Sequence, residues 1–498
     1  MEGEKSSYKQ IMKATSIFGG VQVFQIIIMV IRSKFIAVLL GPTGMGISGL
    51  LTSTLNLIVG FTNLGLGTSA VKNISAANIS GDKTRVTKTI IILKRLLWIL
   101  GVLGAIVTLI LSEWLSQITF GNEDYTFAFA WISIAVLVKN ITTGQLAVLQ
   151  GLRKIQYLAK ANLYGSFLGL IITIPLYYIY GIDAIVAGIM ITAALSFLLS
   201  WYYSNKVDIL HVKVSKDMAV EESKDMLSMG VMLSLSGIIV MLSAYIVRIF
   251  ISNTGTLADV GLYNAGFAII STYVGLVFTA MATDYYPRLS SVADNNKLCK
   301  DTINQQAEVA ILILAPILIV FIVFIKLIII LIYSYKFVVI DAMICWAAIG
   351  MLFKAASWAI AFILLAKGAS KLFLINEIIA NFNVLVLNLL GYYYGGLTGL
   401  GVSFMLGFLL YLFQVYLLTN KKYDFTFTKS FKNIFTFQFS MVFSCFLFVK
   451  ILEMDALYNY IVGVIFIIIS SWYSYRKLDK MIGLNEWIKN IKDKIFNK

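Results

Sequence analysis

SIFGGVQVFQIIIMVIRSKFIAVLLGPTGMGISGLLTSTLNLIVGFTNLGL, residues 16–66, decides the fold. It holds two membrane-length apolar runs joined by the Gly-Pro turn GPTGMG at Gly41–Gly46. The first run carries Arg32 and Lys34 at membrane depth. A basic residue at the centre of a span costs roughly 2.5–3.5 kcal/mol on insertion scales, so it normally faces a bundle interior or a wet cavity.

Outward from this hairpin, similar runs recur to the end of the chain. Of 498 residues 59% are hydrophobic and 13% charged, and the mean hydropathy is +0.86. Runs of about 20 apolar residues mark a polytopic helical membrane protein. Alternating ten-residue strands of the outer-membrane barrel type are absent from the sequence. Backbone groups in lipid must pair within their own segment, so the expected fold class is all-α. The first run lacks a cleavage-site pattern and is too long for a signal peptide, so it is expected to remain in the mature protein.

Fourteen spans are expected: Ser16–Leu40, Gly44–Leu66, Ile90–Leu111, Phe127–Leu149, Leu158–Tyr180, Ile182–Tyr203, Met226–Ile251, Leu262–Tyr285, Gln306–Ile332, Ile340–Ala366, Leu372–Tyr394, Leu397–Thr419, Ile434–Val449 and Leu457–Tyr475. Pro42 and Pro287 are expected at turns or helix ends, Pro175 and Pro316 inside spans. The net charge of +15 resides in alternate loops, from Lys5, Lys9 and Lys13 through Lys72, Lys83, Arg85 and Lys88 to the tail beyond Arg476. That is an orientation signal rather than a nucleic-acid surface, and it places both termini in the cytoplasm. The tail GLNEWIKNIKDKIF sets Leu484, Trp487, Ile488, Ile491 and Ile495 on one face, as an amphipathic helix on the cytoplasmic surface would.

An internal repeat is legible. IRSKFIAVLLGPTGMGISG and VRIFISNTGTLADVGLYNAG each carry an arginine, Arg32 and Arg248, ahead of a glycine, Gly46 and Gly261. The same offset of about 216 residues pairs Lys139 with Lys354 and Lys154 with Lys371. Two six-helix lobes in parallel topology follow, enclosing a central cavity, plus two appended helices. The expected division is 1–210 for the N-terminal lobe, 211–425 for the C-terminal lobe, 426–475 for the last two spans and 476–498 for the basic tail.

Lys94, Arg95 and Lys326 lie near span ends and can snorkel. Arg32, Lys139, Arg248 and Lys354 have less escape, while carboxylates within spans are few: Asp284, Glu308 and Glu377. A cavity lined by cations without matching acids suits an anion, with Arg making bidentate phosphate contacts and Lys acting as a point charge. These four are the candidate binding residues, with Lys34, Asp284 and Arg288 as a second rank; Lys34, two positions from Arg32, points to nearly the opposite face. Cys299, Cys345 and Cys445 have neither disulfide nor metal-ligand spacing, and the single histidine, His211, lies in a loop. Neither a phosphate-binding glycine loop, a Ser/His/Asp set nor a metal or other cofactor site is legible, and the longest extramembrane stretch, Ser204–Asp225, is too short for a soluble catalytic domain.

LGPTGMGISGLLTSTLNLIVGFTNLGLGTSAVK and DYYPRLSSVADN at Asp284–Asn295 resemble the Wzx-type O-antigen and polysaccharide flippases of the multidrug/oligosaccharidyl-lipid/polysaccharide exporter superfamily. The resemblance covers spans 1–12 in layout and these two stretches in sequence. It implies two six-helix lobes around a cationic cavity, with Arg32 and Arg248 facing it. It also implies movement of undecaprenyl-diphosphate-linked oligosaccharide from the inner to the outer leaflet of the bacterial cytoplasmic membrane. Membrane lipids, a polysaccharide polymerase and a chain-length regulator are the implied partners. A lipid II flippase and a multidrug exporter are the alternatives within the superfamily; an exporter of organic cations would want a buried carboxylate where this chain offers lysine and arginine.

Overall fold

Helices make up every regular element among the described residues, which in this computed structural model are 24–207, 212, 216–451 and 456–482. His211, the first lysines and the amphipathic tail sequence lie outside them. The helices, in chain order, are α1 (24–39), α2 (Gly41–Asn63), α3 (Leu66–Ile79), α4 (Lys83–Ile110), α5 (Ser112–Phe120), α6 (Thr126–Gly151), α7 (Ile155–Tyr180) and α8 (Ala184–Ser204). They continue as α9 (Lys216–Thr254), α10 (Leu257–Phe267), α11 (Leu276–Ser291), α12 (Asn296–Ile332), α13 (Asp341–Ala366), α14 (Ser370–Tyr423), α15 (Lys429–Phe446) and α16 (Ala456–Ile482).

Among the described residues, 11 helical stretches are long and apolar enough to cross a membrane. Two of them are double: Ile155–Ser204 spans 50 residues and Ser370–Tyr423 spans 54, each about 75–80 Å of helix if straight. Both fold back at one glycine. Counting each twice and adding α1 gives the fourteen spans read from hydropathy.

Those two glycines expose the repeat at the level of backbone geometry. Gly181 has φ 58° and ψ −132°; Gly396 has φ 53° and ψ −139°. Residues with side chains rarely adopt this region. The two positions lie 215 apart, the spacing that also separates Lys139 from Lys354 and Gly46 from Gly261. The turn after α6 recurs likewise after α13. Arg153 (φ 55°) and Gly368 (φ 68°) occupy the same left-handed position, and Lys154 N donates to Leu149 O as Ala369 N does to Leu364 O, both at 2.8 Å.

The chain divides into two compact units, one running to Gly261 and taking Ile332–Ser334, the other holding the remainder. In the first unit the expected turn at Gly41–Gly46 shrinks to a sharp break: α1 ends before Leu40, Gly41 takes φ 67°, and Pro42 lies in the first turn of α2. Proline suits this place because the first helical N–H has no intrahelical acceptor. Gly46 and Gly261 meet: a Cβ on Gly46 would lie 1.9 Å from Leu257 O, and one on Gly261 1.9 Å from Pro42 O. The two glycines matched by the repeat are thus in backbone contact.

Two helices do not stand out as spans in the sequence. α3 begins where Leu64 and Gly65 take left-handed φ, and its stripe Leu66, Ala70, Ile74 and Ala77 is buried, the first three packing with Ile90, Leu93 and Leu97 of α4 and Val148 of α6. At 14 residues, with Lys72 inside, it is too short and too mixed to read as a span. α5 is shorter still and buries Leu115, Ser116, Thr119 and Phe120 before Gly121 ends it. Thr119 and Thr54 both meet the buried Tyr245 hydroxyl, at 2.7 and 3.0 Å, tying α5 and α2 to α9.

In the second unit Pro287 lies inside α11, four residues before its end, rather than at a boundary. A π-helical turn, Ala268–Val274, separates α10 from α11. α15 joins α13 through Phe353, whose ring lies 6.0 and 5.5 Å from Phe435 and Phe439, and the turn that follows α15, Leu447–Ile451, adds the ion pair of Lys450 with Asp341.

Candidate functional site

Arg32 projects from α1 toward α8, where its Nη2 donates to Thr192 Oγ1 at 3.4 Å. Tyr177 of α7 lies close enough to interact with the same guanidinium. Gly188 makes room for that phenol: a Cβ there would fall 2.5 Å from the Tyr177 hydroxyl. Lys139 of α6 donates to Asn56 Oδ1 of α2 at 2.8 Å, and its charge lies near enough to Arg32 for the two to repel. Among the described residues, neither cation has a carboxylate within ion-pairing distance. Both are partly buried. Two cations thus share one region of the first unit and are held by neutral oxygens alone. Desolvation and mutual repulsion both disfavour that arrangement until an anion joins it.

The tertiary partners, Asn56, Thr192 and Tyr177, are not singled out by the sequence reading. A polar side chain at mid-span, such as Asn56, is the signal that could have found one of them.

A cavity of about 640 Å³ opens in the same unit, between α2, the start of α6 and the start of α8. Ile47, Asp124, Tyr125, Trp131, Asp183 and Met190 are among its lining residues. Its volume falls within the range of small-molecule sites. Ile191 lines it and is followed directly by Arg32's acceptor, Thr192. Ala128 also lines it and shares a helix face with Lys139, eleven residues or about 16 Å further along α6. Lys139 therefore lies further along α6 than the cavity, while the acceptor of Arg32 adjoins it. Tyr125 stacks on Phe120 with centroids 3.8 Å apart. Burial, with Asp124 beside it, raises the Tyr125 hydroxyl above its usual value, so it remains a donor.

The other residues singled out in the sequence are distributed. Arg248 belongs to the first unit and donates through Nη1 to Ala244 O at 2.8 Å. Lys34 is partly buried on α1. Lys354 belongs to the second unit, where its ammonium lies 5.2 Å from the Phe408 ring centroid and 5.6 Å from that of Phe278. Asp284 and Arg288 are both exposed, with Asp284 Oδ2 4.0 Å from Arg288 Nε and Arg288 Nη2 donating to Gln306 at 2.8 Å. The carboxylates within spans are engaged elsewhere in the second unit: Glu377 accepts from Tyr411 at 2.6 Å and Glu308 from Thr428 at 3.2 Å. No group of residues able to hold a metal ion occurs among the described residues.

Comparison with known proteins agrees with this architecture. The structure matches that of the lipid II flippase MurJ, in an inward closed conformation, with a TM-score of 0.71 at 13% identity, covering 93% of this chain and 99% of that one. It matches an inward-facing multidrug resistance MATE transporter of the MOP superfamily with a TM-score of 0.67 at 15% identity, over 82% of this chain and 96% of the other. An outward-facing MATE transporter gives 0.52 at 16% identity, over 83% and 94%. These identities establish the fold, which is that of flippases and transporters. No curated protein matches by sequence. The profile of the polysaccharide biosynthesis protein family matches residues 35–342, more than half the chain and nearly all of the repeat's first half. With the first hairpin, the Asp284–Asn295 stretch and this fold in agreement, the chain belongs to the polysaccharide biosynthesis protein family.

Proposed function

We propose that the protein flips an undecaprenyl-diphosphate-linked oligosaccharide from the inner to the outer leaflet of the bacterial cytoplasmic membrane, with both termini in the cytoplasm. One observation carries the reading: Arg32 and Lys139 lie within electrostatic range of each other on helices read as spans, with only neutral hydrogen-bond partners among the described residues. A diphosphate would relieve their repulsion. It offers the guanidinium a two-oxygen face and the ammonium a third acceptor. The aromatic and carboxylate lining of the neighbouring cavity suits the sugar, with ring faces to stack on and acceptors for hydroxyls.

A diphosphate-sugar headgroup cannot cross about 30 Å of hydrocarbon unaided, whereas the polyprenyl tail can stay in lipid throughout. The parallel repeat supports alternating access, one six-helix half rocking against the other. Arg248, the repeat counterpart of Arg32, is the proposed third cation of the diphosphate site, whereas Lys354 is proposed to be occupied by its two aromatic rings. An inside-negative potential contributes about 2.3 kcal/mol per charge per 100 mV, toward expelling the anion or resetting the cationic empty carrier. A polysaccharide polymerase and its chain-length regulator would receive the product in the outer leaflet.

The test is a leaflet assay with purified protein in vesicles. Undecaprenyl-diphosphate oligosaccharide should reach the opposite leaflet with the wild type and not with Arg32→Ala or Lys139→Ala at equal folded protein. Absence of movement with any diphosphate-linked sugar would overturn the function. Movement of lipid II alone would narrow the substrate to the cell-wall precursor. Movement surviving both substitutions would remove the cation pair from the mechanism.

A further inference from the structure

A second cavity, of about 230 Å³, lies between α4, α6 and α8 of the first unit, at the end that carries the basic loops. Lys94, Trp98, Gln145, Trp201, Ser204 and Asn205 supply its character. The cavity is a convergence of donors. Lys94 is partly buried and has no ion-pair partner among the described residues. Gln145 accepts from the Ser200 hydroxyl through Oε1, and among the described residues its amide N–H groups meet no acceptor. Ser204 is 1% exposed, and its Oγ has no hydrogen-bond partner among the described residues. No carboxylate lines the cavity.

The walls say what surrounds it. Trp98 and Trp201 are 53% and 51% exposed. Tryptophans of this kind favour the level of lipid headgroups, where an apolar ring meets a polar layer. The scaffold itself does not require the cation. At the 215-residue offset Lys94, Trp98 and Gln145 correspond to Val309, Ile313 and Ile360, an apolar set in an otherwise equivalent helix pair.

We infer that this cavity is a binding site for the phosphate of an anionic phospholipid of the adjoining leaflet, held by Lys94, Gln145 and Ser204 and flanked by the two tryptophans. The chamber holds a headgroup phosphate rather than a whole lipid, so the acyl chains would run down the outside of α4 and α8. The site lies apart from the Arg32–Lys139 region and does not depend on which substrate that region carries. Its ligand chemistry, a phosphate ester, is shared by inorganic phosphate, so the experiment separates the two.

Native mass spectrometry of the full chain released from nanodiscs of phosphatidylglycerol or of phosphatidylcholine counts retained lipids. The wild type should retain one phosphatidylglycerol in preference to phosphatidylcholine. Lys94→Gln should cut that preference about fivefold, as loss of one basic contact near an anionic surface does. Lys94→Arg should restore it, and Lys88→Gln, on the same helix end, should leave it unchanged. Inorganic phosphate that displaces the lipid would assign the site to free phosphate; failure to displace it assigns the site to the lipid. Equal retention by wild type and Lys94→Gln, or equal loss in Lys88→Gln, would overturn the proposal. So would a Trp98→Leu, Trp201→Leu variant with Lys94 intact that kept full preference.

Discussion

Lys139 and Lys354 stand 215 residues apart, in helices that end in the same left-handed turn, yet their surroundings differ in kind. Lys139 meets the amide oxygen of Asn56 and the repulsion of Arg32. Lys354 lies between the faces of Phe278 and Phe408. An amide oxygen satisfies one of three ammonium donors and leaves the others for a ligand. Two aromatic faces offer a cation dispersed attraction that is complete without one. The repeat has therefore preserved backbone and charge while changing the surroundings of the charge: an amide oxygen in the first half, two aromatic rings in the second.

Reversing the charges gives the sharpest contrast. Lys139→Glu would place a carboxylate beside Arg32, pairing the guanidinium internally, and the leaflet assay should show transport reduced more than about tenfold with folding intact. Lys354→Glu would instead set a negative charge against two negative ring faces. Its effect should appear in thermal unfolding in detergent, as a loss of about 2–4 kcal/mol. Transport loss in both at equal stability would break the distinction.

Neutral replacements should separate the two lysines more gently. Lys139→Met should lower transport about tenfold, the equivalent of one charge-assisted hydrogen bond. Lys354→Met should leave stability within about 1 kcal/mol or raise it, since an apolar chain of similar length relieves a desolvated charge. Asn56→Leu removes the acceptor of Lys139 while keeping its charge. Transport should fall about fivefold, matching a neutral hydrogen bond, with little change in unfolding.

The smallest expected effect concerns the turn the halves share. Arg153 occupies at φ 55° the position filled by Gly368 in the second half. Arg153→Gly should stabilise the first half by about 1 kcal/mol in thermal unfolding, because glycine takes that conformation without strain. An unchanged or lowered stability would show that the Arg153 side chain compensates the strain.

Much of this architecture is legible in the chain of residues alone. Hydropathy locates the fourteen spans because helices in lipid satisfy their own hydrogen bonds, so each is recognisable from its own residues. The offset of Arg32 and Arg248 announces the repeat, which Gly181 and Gly396 restate in backbone angles. α3 and α5 are not legible in this way, because a short helix buried within a bundle needs no continuous apolar run; its identity lies in a stripe matched to neighbours. Pro287 reads as a boundary, yet α11 carries on for four more residues beyond it.

Sequence by itself determined the spans, the alternation of basic loops and the mid-span positions of Arg32, Lys139, Arg248 and Lys354, all of which follow from local composition. Tertiary structure decided which of these charges share a region and what each touches. Lys139 reaches Asn56 across 83 residues and Arg32 reaches Thr192 across 160. Gly46 meets Leu257 by backbone contact. In a membrane interior one apolar helix face attracts another almost indiscriminately, so such pairings depend on close packing of small residues and a few polar contacts, and these exist only once the helices have assembled.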